Sequence, residues 1–397
     1  MPSLSNLPNV RPSLLLDFAN SGMVDPRISF SRATTGTRIN AKGLMETVAA
    51  NVPRIDYNPV TGACLGLLIE ESRTNLVLQS APAGYVAPWT NSGAFGNWLS
   101  VTTLAPTSIA PDGSVSGIKV SVAAGPGRRK LGQRISVAPG QTYVFSAYVE
   151  VTAGAWLLHL ATGNNNTLVL ENAVSVPAAP SGGGWSKVSV TYTVPATGVN
   201  MLEVGIATAN NLECVATVWG AQLEVGAFPT STIPTTTAAV TRSADLPQML
   251  GINFSDWYNP SAGTVILEAS RYVGATTTLM SISDGTTQNM NAYMVNNGGA
   301  AAQIIQFARG GVDQARFTLG AVVSSTIFKT AAAWALNDFA LSIDGSVPAV
   351  DMVGIPAAVD RLMFSGPTLN AGARYIRRFA YYPGRLAEAQ LQALTAP

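Results

Sequence analysis

His159 is the one histidine in this chain of 397 residues, so any Ser–His–acid relay would have to run through it. It stands in Leu157-Leu158-His159-Leu160-Ala161, which reads as strand. No Gly-x-Ser-x-Gly elbow accompanies it, since Gly113-Ser-Val-Ser-Gly117 has valine at its centre. One histidine also falls short of a multi-histidine zinc site. His159 is expected to be structural or to lie on the surface. Glycosidic chemistry needs two carboxyl groups roughly 5–10 Å apart. Glu70 and Glu71 are adjacent in a strand pattern, so they point to opposite faces. Asp17, Asp25, Asp56, Glu150, Glu203, Glu224 and Glu268 are further partners, and no spacing selects a pair among them. They read as solvated strand-edge charges, and no catalytic residue is assigned.

Binding is the better-supported chemistry. Sugars are held by aromatic faces together with a few polar groups that fix orientation. Trp89 and Trp98, with Phe95 between them, lie in a Gly/Ser/Asn-rich stretch and are the glycan-binding candidates; Trp156 and Trp185 are alternatives. The competing explanation is that these rings close a sandwich end, fill a core or face another subunit. Gly125-Pro-Gly-Arg-Arg-Lys130 is glycine-rich and basic but lacks the Gly-Lys-Ser/Thr of a phosphate loop. It reads as a hairpin loop, with contact to acidic polysaccharide or lipopolysaccharide phosphate as the alternative. Asp284 and Asp344 each precede glycine, which suits a turn as well as a calcium ligand. No metal or cofactor is assigned.

The elements that must position these residues are strands. Tyr143, Phe145, Ala147 and Val149 alternate with Val144, Ser146, Tyr148 and Glu150; Val188, Val190, Tyr192 and Val194 alternate with Lys187, Ser189, Thr191 and Thr193. Leu202 to Ile206 is a third strand, and Val215 to Val225 a fourth, with Trp219 and Leu223 expected on one face. Thr230 to Gln248 loses all periodicity and reads as a linker. Beyond it, Thr264 to Ala269, Phe339 to Ile343 and Tyr375 to Tyr382 are strands, and Ala387, Leu391 and Leu394 fall at helical spacing. Leu14 to Phe18 and Ile28 to Phe30 are strand candidates near the start. Pro53, Pro59, Gly62 and Gly66 break the stretch Asn51 to Ser80 into strand–turn–strand.

Three groups of words resemble known families. Ser31-Arg-Ala-Thr-Thr35, then Asn51-Val-Pro-Arg-Ile-Asp-Tyr57, then Gly66-Leu-Leu-Ile-Glu-Glu71 with Arg73-Thr-Asn-Leu76, resembles a segment of bacteriophage fibre and spike proteins of heads or tails. Trp89-Thr90, Pro111-Asp-Gly113, Pro139-Gly-Gln-Thr-Tyr143, Gly184-Trp185 and Gly220-Ala-Gln-Leu-Glu-Val225 resemble carbohydrate-binding-module-like jelly rolls of phage fibres. Phe339-Ala-Leu-Ser-Ile-Asp-Gly345, a final strand and Tyr381-Tyr-Pro-Gly-Arg-Leu386 resemble laminin-G/concanavalin-like lectin sandwiches. The resemblances imply a virion protein that attaches to a host-surface glycan and forms a homo-oligomer, a trimer by analogy with three-fold fibres. A capsule- or polysaccharide-degrading tailspike glycosidase is the alternative.

Composition agrees with that class. Charged residues are 11% and hydrophobic ones 47%, which suits β-sandwiches with uncharged, buriable surfaces and not a disordered chain. The formal net charge of +1 gives no electrostatic support to nucleic-acid binding. Cys64 and Cys214 lack metal spacing and are expected as free thiols. Neither a signal peptide nor an apolar run long enough for a membrane span is visible. The expected architecture is all-β: an N-terminal arm and β docking segment over 1–80 that contacts other virion proteins, a jelly roll over 81–229, a linker over 230–250, and a lectin-like sandwich over 251–397. The extended, Pro-containing Met1 to Ser13 is expected to be held by a partner.

Overall fold

The computed structural model describes residue 9 and residues 11–397, apart from 81–102, 126–128, 165–166, 178–183, 210, 272–275, 297–301, 322–325 and 368–371. The fold is almost wholly antiparallel β, in two compact units. One is discontinuous, drawing on residues 1–43, 47–72 and 243–397; the other consists of 73–242 together with Leu44–Glu46.

The discontinuous unit is a sandwich of an eight-stranded and a seven-stranded sheet. The strand Ala373–Tyr382 organises the larger sheet. Gly263–Arg271 lies along one side of it, while its other side is shared by Cys64–Glu70 and Leu14–Asp17. Leu16 faces Phe379 in register, and Leu67 faces Ile376. Between the sheets, Leu14, Leu16, Phe18, Leu67, Ile69, Trp257, Trp334, Phe339, Phe379 and Tyr381 pack as one core. At roughly 25 cal/mol per Å² of apolar area, this burial is the main force that recruits the N-terminal strands. Glu388–Thr395 closes the unit as the expected helix, with Leu391 buried.

Two expected boundaries change. Residues 1–80 are not a segment apart: Leu14–Asp17, Arg54–Tyr57 and Cys64–Glu70 are members of the large sheet, and Ser29–Ser31 belongs to the other. Residues 230–250, expected as a linker, do hold the passage from one unit to the other after Arg242, but they are built into the two units rather than strung between them. Thr230, Thr232, Ile233 and Thr235 are buried, and Leu246–Leu250 is a strand between Ser29–Ser31 and Arg361–Met363. The low periodicity here reflects threonine and serine used for hydrogen bonding; Thr235 Oγ1 donates to the Val77 carbonyl at 2.5 Å, and the Ile233 N–H donates to Gln222 Oε1 at 2.7 Å.

The inserted unit is a second sandwich. A four-stranded sheet of Lys130–Ser136, Met201–Thr208, Trp156–Asn164 and Thr167–Ser175 packs on a five-stranded one of Ser186–Thr193, Thr142–Ala153, Cys214–Val225, Val115–Val122 and Thr103–Ile109. Phe145, Val149, Val190, Leu160, Val204 and Leu223 fill the space between them, matching the expected alternations. Arg73–Asn75 and Val240–Arg242 pair antiparallel where the chain comes in and goes out. Both cysteines are free thiols.

Candidate functional site

Three places gather the residues singled out above. The first is a buried polar knot in the discontinuous unit. Asp245 accepts from Arg32 Nη1 at 3.0 Å, from Arg54 Nη2 at 2.5 Å and from the Glu70 N–H at 2.9 Å; Glu70 also holds Arg54 at 2.8 Å. Arg32 spends its remaining donors on the carbonyls of Thr34, Val52 and Ala49. Burial alone would weaken the Arg54 guanidinium's hold on its proton, and Asp245 and Glu70 more than reverse this. Asp56 lies close by, accepting from Tyr375 Oη at 2.7 Å and from the Ile39 N–H at 2.6 Å, and burial pushes its carboxyl above the usual carboxylate range. The three words Ser-Arg-Ala, Pro-Arg-Ile-Asp and Ile-Glu-Glu thus meet in one place. With Arg32, Arg54, Glu70 and Asp245 all buried, the knot fixes loop geometry rather than meeting a ligand.

The second is the four-stranded sheet of the inserted unit, where His159 is buried. Its Nε2 lies 3.3 Å from Glu203 Oε1, and Arg134 Nε donates to Glu203 Oε2 at 3.1 Å. This agrees with a structural histidine. Glu224 is likewise committed, accepting from the Thr230 N–H and hydroxyl. Glu268 binds Arg377, Asp17 binds Arg378, and Asp25 binds Arg27. Of the basic loop, Pro126–Arg128 lie outside the described residues, and Arg129 and Lys130 are buried rather than offered to an anion. Asp284 and Asp344 serve turns: Asp284 Oδ1 accepts from the Thr286 N–H and hydroxyl, and Asp344 Oδ1 accepts from the Lys329 N–H. Among the described residues no group of three or more His, Cys, Asp or Glu side chains could hold a metal.

The third is the outer face of the five-stranded sheet, turned away from the inter-sheet core. One half of this face carries Val144, Ser146, Gln222 and Glu224, and the segment 227–235 straps it down through the bonds to Gln222 and Glu224. The other half carries Lys187 in register with Tyr148, Tyr148 with Trp219, Glu150 with Thr217, and Thr217 with Lys119. Trp219 reaches this face through a bulge. The register slips between Ser146 and Tyr148, and Gly220 takes φ 63°, a left-handed value that favours glycine. That slip corrects the expectation that Trp219 and Leu223 share a face: Leu223 is in the core, whereas Trp219 packs edge-on to Tyr148 at 6.0 Å and donates from Nε1 to Ser116 Oγ. An alternation count cannot see an extra residue, although Trp-Gly inside an otherwise apolar strand is the signal a bulge leaves.

Trp185 completes the patch. The Gly184 N–H donates to Glu150 Oε1 at 3.0 Å, and Trp185 Nε1 donates to the Ile109 carbonyl at 3.2 Å. The first bond ties the segment just before the edge strand Ser186–Thr193 to the neighbouring strand, and the second ties it to the last residue of the opposite edge strand, so the half-buried indole reaches across the sheet on the side of Glu150. Lys187 Nζ stands 5.5 Å above the Tyr148 ring and donates to the Thr230 carbonyl. Trp156 is core and leaves the list of ligand candidates. Trp89, Phe95 and Trp98 lie outside the described residues.

No protein-family model and no curated protein matches this chain. Solved structures do. A family 16 carbohydrate-binding module is similar over 37% of this chain and 97% of its own, at 18% identity and a TM-score of 0.28. The enzymatically active domain of bacteriophage CBA120 tailspike protein 4 is similar over 38% of this chain, at 14% identity and TM-score 0.31, and this chain spans 21% of its length. The tandem CBM22 domain of Paenibacillus barcinonensis Xyn10C is similar over 78% of this chain and 97% of its own, at 11% identity and TM-score 0.26. These scores are low, and the functional reading rests on the residues of this chain.

Proposed function

We propose that this protein is a fibre or spike subunit of a bacteriophage virion, on head or tail, that adheres to host-surface glycan without cleaving it. The observation that carries glycan adhesion is the half-strapped sheet: the half-buried rings of Tyr148 and Trp185 lie on the half left open, beside Glu150, Lys119 and Lys187, and the bulge seats the buried Trp219 edge-on behind Tyr148 as its support. Rings with flanking hydrogen-bonding groups on a rigid sheet are what sugar recognition asks for. The virion setting is supported by the three ordered words around Arg32, Arg54 and Glu70, and by a chain with only 11% charged residues. Assembly as a homotrimer, with the N-terminal part contacting other virion proteins, belongs to the same reading.

Two measurements test it. On a glycan array, Trp185→Ala and Tyr148→Ala should each lower binding about tenfold or more while the inserted unit melts within a few degrees of the parent, because both rings are only half-buried. Binding that survives both changes removes the site. Labelling virions with an antibody to this chain should decorate fibres or spikes, and unlabelled particles would refute the virion assignment. Oligosaccharide released from host polysaccharide would refute the non-catalytic one.

A further inference from the structure

The open half-face carries two of the protein's five lysines. Lys119 stands in register with Thr217, and Lys187 with Tyr148. Both are exposed, in a chain whose other described lysines include the buried Lys130. Their strands are separated by two others, those of Tyr148 and Trp219, and Lys119 is level with Thr217 while Lys187 is level with Trp219, so three strand spacings of about 4.8 Å and a two-residue step of about 6.7 Å put the backbones of the two lysines roughly 16 Å apart. Glu150 is the carboxylate level with Thr217 and Lys119, two residues along from Tyr148, and one of its oxygens already accepts from the Gly184 N–H. Lys187 is held by the Tyr148 ring and the Thr230 carbonyl, which fixes its ammonium beside the aromatic surface.

We infer that the open half-face takes an acidic glycan whose negative groups sit on separate sugar residues, with Lys187 and Lys119 meeting different charges along one chain. This rests on the glycan-binding reading above and adds the class of sugar. With its ammonium held at the Thr230 carbonyl and over the Tyr148 ring, Lys187 is not free to swing toward Lys119, so one small anion does not meet both. A polymer with a carboxylate or sulfate on every residue or every second residue can, while Tyr148 and Trp185 meet the sugar rings between. Such binding weakens with salt, because exposed charges are screened over about 10 Å at 0.1 M.

The test measures binding of the whole chain to polygalacturonate, chondroitin sulfate and neutral dextran by calorimetry at low and high salt. Polygalacturonate distinguishes carboxylate recognition, and chondroitin sulfate adds sulfate. The expected result is binding to one or both acidic polymers, weakened by salt. In the double variant Lys119→Gln with Lys187→Gln it falls roughly tenfold, as two exposed ion pairs allow, and Trp185→Ala lowers it as well. Salt-independent binding, or a double variant equal to the parent, overturns the inference. Binding to dextran alone, still sensitive to Trp185→Ala, overturns it while leaving the glycan-binding site in place. Binding to none of the three overturns both. Both lysines are exposed, so the double variant should melt with the parent.

Discussion

Replacing Asp245 with asparagine tests the polar knot most directly. The carboxylate accepts from three donors, two of them guanidinium groups, and all the partners are buried. Asparagine offers one acceptor oxygen and turns an amide N–H₂ toward a cation. Arg54 would keep Glu70 and the Thr37 carbonyl, and Arg32 its three backbone carbonyls, so the charges are stripped only in part. Breaking one side of a buried ion pair costs about 3–5 kcal/mol, in line with losing two charge-assisted bonds at about 1.5–3 kcal/mol each. Urea unfolding should show this cost as a midpoint lowered by about 1–2 M for the discontinuous unit, followed by its Trp257 and Trp334. The transition of the inserted unit, which lacks Asp245, serves as internal reference and should stay where it is. Adding Arg32→Met should not recover the loss, because the carbonyls of Thr34, Val52 and Ala49 would then lose their donor as well. A shift worth under about 1 kcal/mol, or an equal shift in both transitions, would show that the knot is not what holds these loops.

Asp56→Asn should behave in the opposite way. Burial raises the folded-state pKa of Asp56 above its unfolded value near 3.8, so the native chain binds its proton more tightly and stability falls as pH rises through the raised value. The variant should match the parent near pH 3.5 and equal or exceed it at pH 7; a variant less stable at pH 7 than at pH 3.5, relative to the parent, contradicts this. Gly66→Ala should lower the melting temperature of the discontinuous unit by roughly 5–12 °C, the effect of about 3 kcal/mol in a domain of this size. Gly66 has φ +110°, and an added Cβ would stand 2.4 Å from the Ile376 carbonyl oxygen. An unchanged melting temperature would mean the two strands can part without cost.

Much of the local structure was legible in the sequence, because a strand with one buried face writes its own alternation. Thr142–Ala153, Ser186–Thr193 and Asp338–Ile343 fall where Tyr143 to Glu150, Lys187 to Val194 and Phe339 to Ile343 alternate. Pairing across long distances leaves no such trace. Nothing in Leu14-Leu15-Leu16 names Phe379 as its neighbour, and nothing in Asp245, set among Ser, Ala and Leu, names Arg32 and Arg54. The candidate site was half legible: Trp185 was marked by type and setting, whereas Trp219 was assigned to the core side because its bulge breaks the period of two. The strapped half was hidden because threonine-rich backbone bonding looks the same as a linker when only apolar period is counted.

The insertion also sets a timetable. Asp17 meets Arg378, which lies 361 positions later, and at roughly 5–20 residues per second a ribosome needs about 20–70 s to cover that distance. During that interval the inserted unit is finished, since its last strand ends at Arg242. Leu14, Leu16 and Phe18 meanwhile wait without the strand that buries them. The first residues made are therefore among the last to settle, and a nascent chain stopped before Ala373–Tyr382 would hold one completed sandwich together with the unpaired edges of another. Such edges are templates for pairing with other chains, so the protein is most exposed to misassembly in the last moments of its synthesis.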